Sequence, residues 1–348
     1  MPRYRVFISY SHEDGDLVEK IVSVLEDAGL RPMWDRDFAF GRGFPEQIRM
    51  RIAHAHVFLP LITESSNRRG WVHQEIGYAM ALHVPVLPVA RGALPGEMLR
   101  ELHAMMLSED PAEMRTQLTA DVFENLVNAC QEEGFALYEC AELPEERTAF
   151  MVRYANSVSD MGEYGMVRQK GAYSSFNIPN RVLSDPVWDI RYEPRGSGDY
   201  HKTLQRRERL ALEKHAQEAG CRLIVNPGVY TGYSERARIA RLETLLDFLR
   251  SLPEEKVQVA INERMDEDEN VTLVGDWFAA ISVSMAGNRQ TIFTRHAPSM
   301  QGRIEYFDQE FEELLQERGW KASSSRNAAV AEIEAYVAAL ADKSGGHP

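Results

Sequence analysis

The sequence predicts an α/β protein of two domains, and three observations carry that expectation. The chain has 348 residues, longer than one hydrophobic core usually organises. Residues 1–95 alternate short apolar runs with segments of helical periodicity. β-α units of this length imply a doubly wound parallel sheet with helices on both faces. Beyond residue 200 a second series of strand and helix signals follows an irregular stretch, which implies a second α/β domain with its own core.

Taken in order, Tyr4–Tyr10 reads as an apolar strand. Asp16–Ala28 carries Leu17, Ile21, Val24, Leu25 and Ala28 at helical spacing, and Gly29 follows as a stop. Leu30–Trp34 predicts a short strand that runs into the turn-rich segment Asp35–Pro45, with Phe44–Ala53 a helix and His56–Ile62 a buried strand. Trp71–Leu82 is helical, Val84–Val89 a strand, and Leu94–Met106 and Ala120–Glu132 are further helices. The polar, proline-containing stretch Ala141–Arg147 marks the expected boundary, giving domains of 1–140 and 141–348. Gly171–Arg195, rich in Ser, Asn, Pro and aromatics, reads as loops and short strands. Then come a helix over Tyr200–Glu218, a strand over Cys221–Asn226 and an amphipathic helix over Glu235–Leu252. Strands follow at Val257–Ile261, Val271–Val274, Ala279–Val283 and Thr291–Thr294, then a helix over Arg303–Arg318 and a frayed tail, Lys343–Pro348.

Composition excludes several classes. A net charge of −14, with acids in excess on both sides of residue 140, argues against a large nucleic-acid-binding surface. The basic residues Lys202, Arg206, Arg207, Arg209 and Lys214 are interleaved with acids and read as a solvated helix face. No apolar run approaches the roughly 20 residues that span a bilayer. Acids arriving by Glu13 interrupt any secretory h-region. Three cysteines, Cys130, Cys140 and Cys221, with no CxxC spacing, form neither a disulfide framework nor a zinc site and point to a reducing cytoplasm. Cys130 and Cys221 fall in apolar settings and are expected to be buried.

Two segments carry chemistry. Residues Phe7 to Asp14, FISYSHED, are an apolar strand that breaks into Ser9-Tyr10-Ser11 and then acids. The stretch Trp71-Val72-His73-Gln74-Glu75 places an indole and a carboxylate one helical turn apart, on one helix face. Both leave the carboxyl ends of predicted parallel strands, where such sheets bind ligands. Ser9, Tyr10 and Ser11 offer amides and hydroxyls to a ligand; helix N-capping by Ser11 or Asp14 is the plainer account.

Together the two segments resemble the TIR (Toll/interleukin-1 receptor) domain, in the form whose glutamate cleaves NAD. The resemblance covers about residues 1–135 and implies a flavodoxin-like sheet. It assigns Glu75 as the catalytic acid, with Trp71 as a pocket wall. It places the mobile loop after the second strand at Asp35-Arg36-Asp37 through Phe44, with Gly41 and Gly43 giving it freedom, and it puts pocket serines at Ser65 and Ser66. Gly70 departs from the Ser that commonly precedes the Trp. NAD+ enters as substrate, with no cofactor or metal implied. The partners implied are other TIR copies, whose stacking into multimers or filaments raises activity, and the setting implied is bacterial defence. Two alternatives stay open: a non-enzymatic adaptor, and an enzyme that makes a cyclic ADP-ribose-type signal.

The second domain is less legible. Val257 to Leu315 faintly resembles half of a phospholipase D-like domain, a family that needs an HxK motif. No histidine here has Lys two residues later. The resemblance therefore implies a catalytically dead domain that senses an activating ligand or assembles the protein. Arg168, Gln169, Ser174, Ser175 and Asn177 form a polar cluster that either binds a small anion or packs as a loop on the domain edge. Asp276-Trp277 reads as a turn acid beside a core indole, and His296 has no partner that the sequence names.

Overall fold

The computed structural model describes residues 4–34, 44–67, 70–92, 104–131, 137–171, 198–228, 235–265, 270–285, 288–318 and 325–344. These fall into two compact units, Met1–Leu137 and Tyr138–Pro348.

The first unit is built on five strands: β1 (Arg5–Ser9), β2 (Arg31–Met33), β3 (Val57–Ile62), β4 (Val89–Ala90) and β5 (Met105–Met106). They lie in the order β2-β1-β3-β4-β5 and every pairing is parallel. This is the doubly wound, flavodoxin-like arrangement, in which the strand order reverses beside β1. Between β1 and β2 runs α1 (Gly15–Asp27), which buries Leu17, Val18, Ile21, Val22, Val24 and Leu25 on one stripe. Gly29, at φ 78°, ends it: the Gly29 amide bonds to Glu26 O and the Leu30 amide to Leu25 O. That pair of bonds is a Schellman cap, and only the glycine adopts its left-handed position without strain. Helices α2 (Phe44–His54), α3 (Glu64–Asn67) and α4 (Gly70–Ala81) follow, with α3 and α4 directly after β3, and α5 (Pro111–Gln117) and α6 (Ala120–Gln131) close the unit.

Three expectations change here. The strand foreseen at Val84–Val89 pairs regularly only over Val89–Ala90, with one isolated bridge from Val86 to Phe58. Pro85 and Pro88 supply no N–H to a ladder, although their carbonyls accept from Phe58 and Met105. Of the helix foreseen over Leu94–Met106, the residues up to His103 lie outside the described residues, and Met105–Met106 is the edge strand β5. Helix α5 is an addition, opened by Pro111 and capped by Asp110, whose Oδ1 accepts the Ala112 amide at 3.0 Å.

The second unit opens with β6 (Tyr138–Ala141) and α7 (Pro144–Asp160), so the polar stretch expected as the domain boundary is a strand end and a helix start. Pro144 takes the first helical position, and the Glu146 carboxylate accepts the amides of Glu142 and Leu143. Then come β7 (Val167–Gly171), α8 (Gly198–Ala219), β8 (Cys221–Val225), α9 (Glu235–Ser251), β9 (Val257–Ile261) and β10 (Asn270–Val274). The unit ends with β11 (Phe278–Met285), β12 (Asn288–Thr294), α10 (Ala297–Arg318) and α11 (Arg326–Ser344). The sheet order is β6-β12-β11-β10-β7-β8-β9. Strands β7, β8 and β9 run parallel, and the remaining pairings are antiparallel.

One sheet face packs on α10 through Ile224, Ala260, Leu273, Ala279, Ile281, Met300, Phe307 and Phe311. On the other face lies α7, whose Tyr154 ring stacks on Phe278 and Phe293 at 5.2 and 5.8 Å, and α8 packs against α7. Gly165 and Gly275 cross so closely that a Cβ on Gly165 would stand 2.6 Å from the Gly275 amide nitrogen.

Of the polar cluster expected around Arg168, Arg168 and Gln169 are not in a loop but in the central strand β7. Ser174, Ser175 and Asn177, like most of Gly171–Arg195, lie outside the described residues. Arg168 is committed to Asp308 of α10 through two bonds of 2.8 and 2.9 Å, and Arg222 reaches the same carboxylate at 3.0 Å. Lys170 pairs with Glu310 at 2.7 Å. Helix α10 starts at Ala297, ahead of the expected Arg303, because Pro298 falls in the first turn, where no intrahelical N–H is required. Helix α11 was not legible in the sequence. Trp277 is a core indole, 1% exposed. His296 does have partners: its Nδ1 lies 3.0 Å from the Tyr138 hydroxyl and 2.8 Å from the Ser299 hydroxyl. Cys221 is buried, Cys130 only partly so, and Cys140 is exposed; all three are free thiols. Among the described residues no helix is long and apolar enough to cross a membrane.

Candidate active site

Strands β1 and β3 are parallel neighbours, with Ser9 in register with Pro60. The residues that follow them therefore emerge at the same, carboxyl edge of the sheet. Ser9 is the last residue of β1, and its hydroxyl donates to Glu75 Oε2 at 2.6 Å. Glu75 is in the second turn of α4, between Val72 and Ile76, each 1% exposed, and is itself only 8% exposed.

Burial dominates the electrostatics of that carboxyl. It pushes the pKa of Glu75 up from 4.5 to about 7, while the Ser9 hydrogen bond pulls the other way by favouring the charged form. A carboxyl displaced this far by burial, at the carboxyl ends of parallel strands, marks a candidate functional group.

Around this pair the chain arranges hydroxyls. Tyr10 is buried, its ring beside His12 and Trp34 at 6.1 and 6.3 Å. Ser11 is fully buried, and its Oγ has no hydrogen-bond partner among the described residues. Neither Ser11 nor Asp14 caps a helix with its side chain, so the capping account of these residues does not hold. Asp14 does something else: its Oδ2 accepts the hydroxyls of Thr63 and Ser65, both at 2.7 Å. Thr63 and Ser66 are tied to each other as well, the Thr63 amide donating to Ser66 Oγ at 2.8 Å and the Ser66 amide to Thr63 Oγ1 at 3.1 Å. The loops after β1 and β3 are thus cross-linked into one rigid rim.

Of the predicted site residues, Ser9 and Glu75 come together directly, while Tyr10 and Ser11 continue the same strand end. Ser65 belongs to the rim and bonds to Asp14. The backbone of Trp71 lies in the first turn of α4, and its side chain is outside the described residues. Asp35, Gly41 and Gly43 are also outside them. Sequence reasoning missed Thr63 and the part played by Asp14. The available signal was the hydroxyl-rich run Thr63-Glu64-Ser65-Ser66, placed directly after a strand that neighbours β1.

The fold and site define a parallel α/β domain with a buried, proton-loving carboxyl at the carboxyl ends of its strands. Residues 6–119 match the family model described as "TIR domain", and the N-terminal unit is a TIR domain. No curated protein matches the chain. Among solved structures, the chain is similar to a Clostridium botulinum CMP N-glycosidase, BcmB, at 17% identity and a TM-score of 0.25. That likeness covers 33% of this chain and 97% of that one.

Proposed function

We propose that the TIR domain hydrolyses NAD+ at the bond between nicotinamide and ribose, with Glu75 as its catalytic residue. The observation that carries this reading is the buried Glu75 carboxyl held by Ser9 at the strand ends. In the reaction the C1′–N bond breaks and its electron pair leaves with the pyridinium ring, which departs neutral and needs no general acid. Positive charge develops on the ribose, as in glycoside cleavage. The ionised Glu75 carboxylate faces that charge in a site of low dielectric, where the attraction is strong. Water then attacks C1′ and loses its proton, giving ADP-ribose. Trp71 walls the pocket; Ser9, Tyr10, Ser11 and Ser65 line or brace it; the segment containing Asp35, Gly41 and Gly43 closes it. The second unit controls activation through an as yet unknown ligand, by bringing TIR domains into multimers or filaments in the service of bacterial antiphage defence.

The test is nicotinamide release from NAD+ by the full chain under crowded conditions, followed by chromatography of the ribosyl product. Release is expected from the native protein and not from Glu75→Ala. Release that survives Glu75→Ala would remove Glu75 from the reaction. No release under any assembled condition would leave a non-enzymatic adaptor, and a cyclised product would replace hydrolysis by signal synthesis.

A further inference from the structure

Two helices of the second unit carry exposed faces of opposite charge. On α8, Arg206, Arg207 and Lys214 are exposed, and Leu210 between them is 60% exposed. None of these three cations forms an ion pair among the described residues. On α10, Glu305, Tyr306 and Glu313 are exposed, Tyr306 to 69%. Each of these carboxylates accepts from a glutamine of its own helix, Glu305 from Gln301 and Glu313 from Gln309, and neither meets a cation among the described residues. The inner faces of both helices are already committed. Helix α8 packs against α7 and accepts the Gly165 amide at His215, while α10 packs on the sheet through Met300, Phe307 and Phe311.

The charges on the two outer faces match in spacing as well as in sign. Arg206 and Lys214 stand eight residues apart on α8, as do Glu305 and Glu313 on α10. At about 1.5 Å per residue, both pairs span roughly 12 Å along the helix axis. Laid antiparallel, Arg206 meets Glu313 and Lys214 meets Glu305, with Leu210 at Gln309, one turn from Tyr306. The exposed Glu218, one turn beyond Lys214, then faces the end of α10 that carries the exposed Arg303. A parallel arrangement would instead put Arg303 beside Arg206 and Glu218 beside Glu313, and like charges brought together at a contact are costly.

We propose that the outer face of α8 docks antiparallel on the outer face of α10 in a second copy of this chain. Arg and Tyr, the large side chains at the two faces, are residues that interfaces favour. The two faces lie on opposite sides of the seven-stranded sheet, because α10 covers one side and α7 with α8 the other. One rigid partner therefore cannot cover both. The contact is heterologous: a docked pair retains one free α8 face and one free α10 face, so association continues head to tail into a ring or an open filament. The chain as a whole carries −14, yet charges are matched where the surfaces meet, and pairs enclosed in a contact are screened by salt less than long-range repulsion is. The contact gives the multimers proposed above a surface in the second unit; its link to activation rests on that reading, while the contact itself does not.

The test is sedimentation velocity of the full chain over a concentration series at about 0.15 M salt. The native chain is expected to gain mass with concentration. Two double variants, Arg206→Glu with Lys214→Glu and Glu305→Lys with Glu313→Lys, each set like charges against one another, and each is expected to self-associate about tenfold more weakly or less. Mixed in equal amounts, the two are expected to assemble again, because the reversed α8 face of one meets the reversed α10 face of the other and the untouched faces still match. A native chain that stays monomeric throughout overturns the proposal. So does self-association that either double variant leaves unchanged, or a mixture no heavier than its components. Nicotinamide release plays no part in this readout, so its outcome is independent of the role proposed for Glu75.

Discussion

At Glu75 two effects oppose each other, and their balance sets the pH behaviour of the site. Burial favours the neutral acid, whereas the Ser9 hydroxyl, 2.6 Å away, favours the carboxylate. In the proposed reaction only the carboxylate stabilises a cationic ribose, so kcat/KM for NAD+ cleavage is expected to rise through about pH 7 and level off above it. Ser9→Ala removes the hydrogen bond and is expected to move that rise alkaline by about half to one pH unit, a shift that a purely structural role for Ser9 would not produce. A pH-rate profile of both proteins checks it.

The same residue leaves a mark on stability. Its folded pKa lies above the unfolded 4.5, so between the two values the native state holds the proton more tightly. Glu75 therefore favours folding fully at pH below 4.5, and that contribution is lost as pH rises through about 7. A displacement from 4.5 to about 7 corresponds to roughly 3 kcal/mol. Glu75→Gln is thus expected to raise Tm at pH 8 and to have little effect near pH 4.5, with thermal unfolding at the two pH values as the measurement.

Among the elements, α10 owes its place to ion pairs as well as to its apolar stripe. Burial raises the Asp308 carboxyl, but hydrogen bonds and charge from Arg168 and then Arg222 outweigh it and hold the group below its ordinary range. Its contribution is therefore present above the unfolded pKa and fades as pH falls through the folded one. Asp308→Ala leaves two partly buried guanidiniums facing each other and is expected to cost about 2 kcal/mol at neutral pH. Urea unfolding at pH 7 checks the value, and the difference from native protein should shrink in acid.

Legibility also differs by element. Strands β1 and β3 and helix α1 were readable because pattern and punctuation agree: apolar runs, a 3.6-residue stripe and Gly29 as a stop. Strand β7 was not, because Val167-Arg-Gln-Lys-Gly171 is polar by composition and becomes a central strand only once α10 supplies the acids. Helix α7 hid in a stretch whose Pro144, Glu145 and Glu146 read as a domain boundary but are the residues of a helix start. In the site, Glu75 was visible from its spacing to Trp71. Its bond to Ser9 and the Asp14–Thr63–Ser65 rim were not, since they depend on β1 and β3 lying side by side.

At the scale of the whole molecule, net charge opposes association. A chain of net charge −14 repels its copies at low ionic strength, and salt screens that repulsion over about 10 Å at 0.1 M. If activation proceeds by stacking of TIR domains, specific activity should rise with protein concentration, and the concentration of half-activation should fall as salt is raised. Activity assays paired with light scattering across a salt series measure both. Constant specific activity over a wide concentration range, with no assembly, would sink that part of the proposal.

The three thiols differ in a way that is useful at the bench. Cys221 is 1% exposed and burial pushes its pKa up to about 12, so it has almost no thiolate to offer. Cys140 stands exposed on β6, the outer strand of the seven-stranded sheet. A maleimide dye will therefore seek Cys140 first, on a different unit from Glu75. The native sequence thus carries its own attachment point for a fluorescent reporter, and self-assembly can be followed by energy transfer without engineering a cysteine.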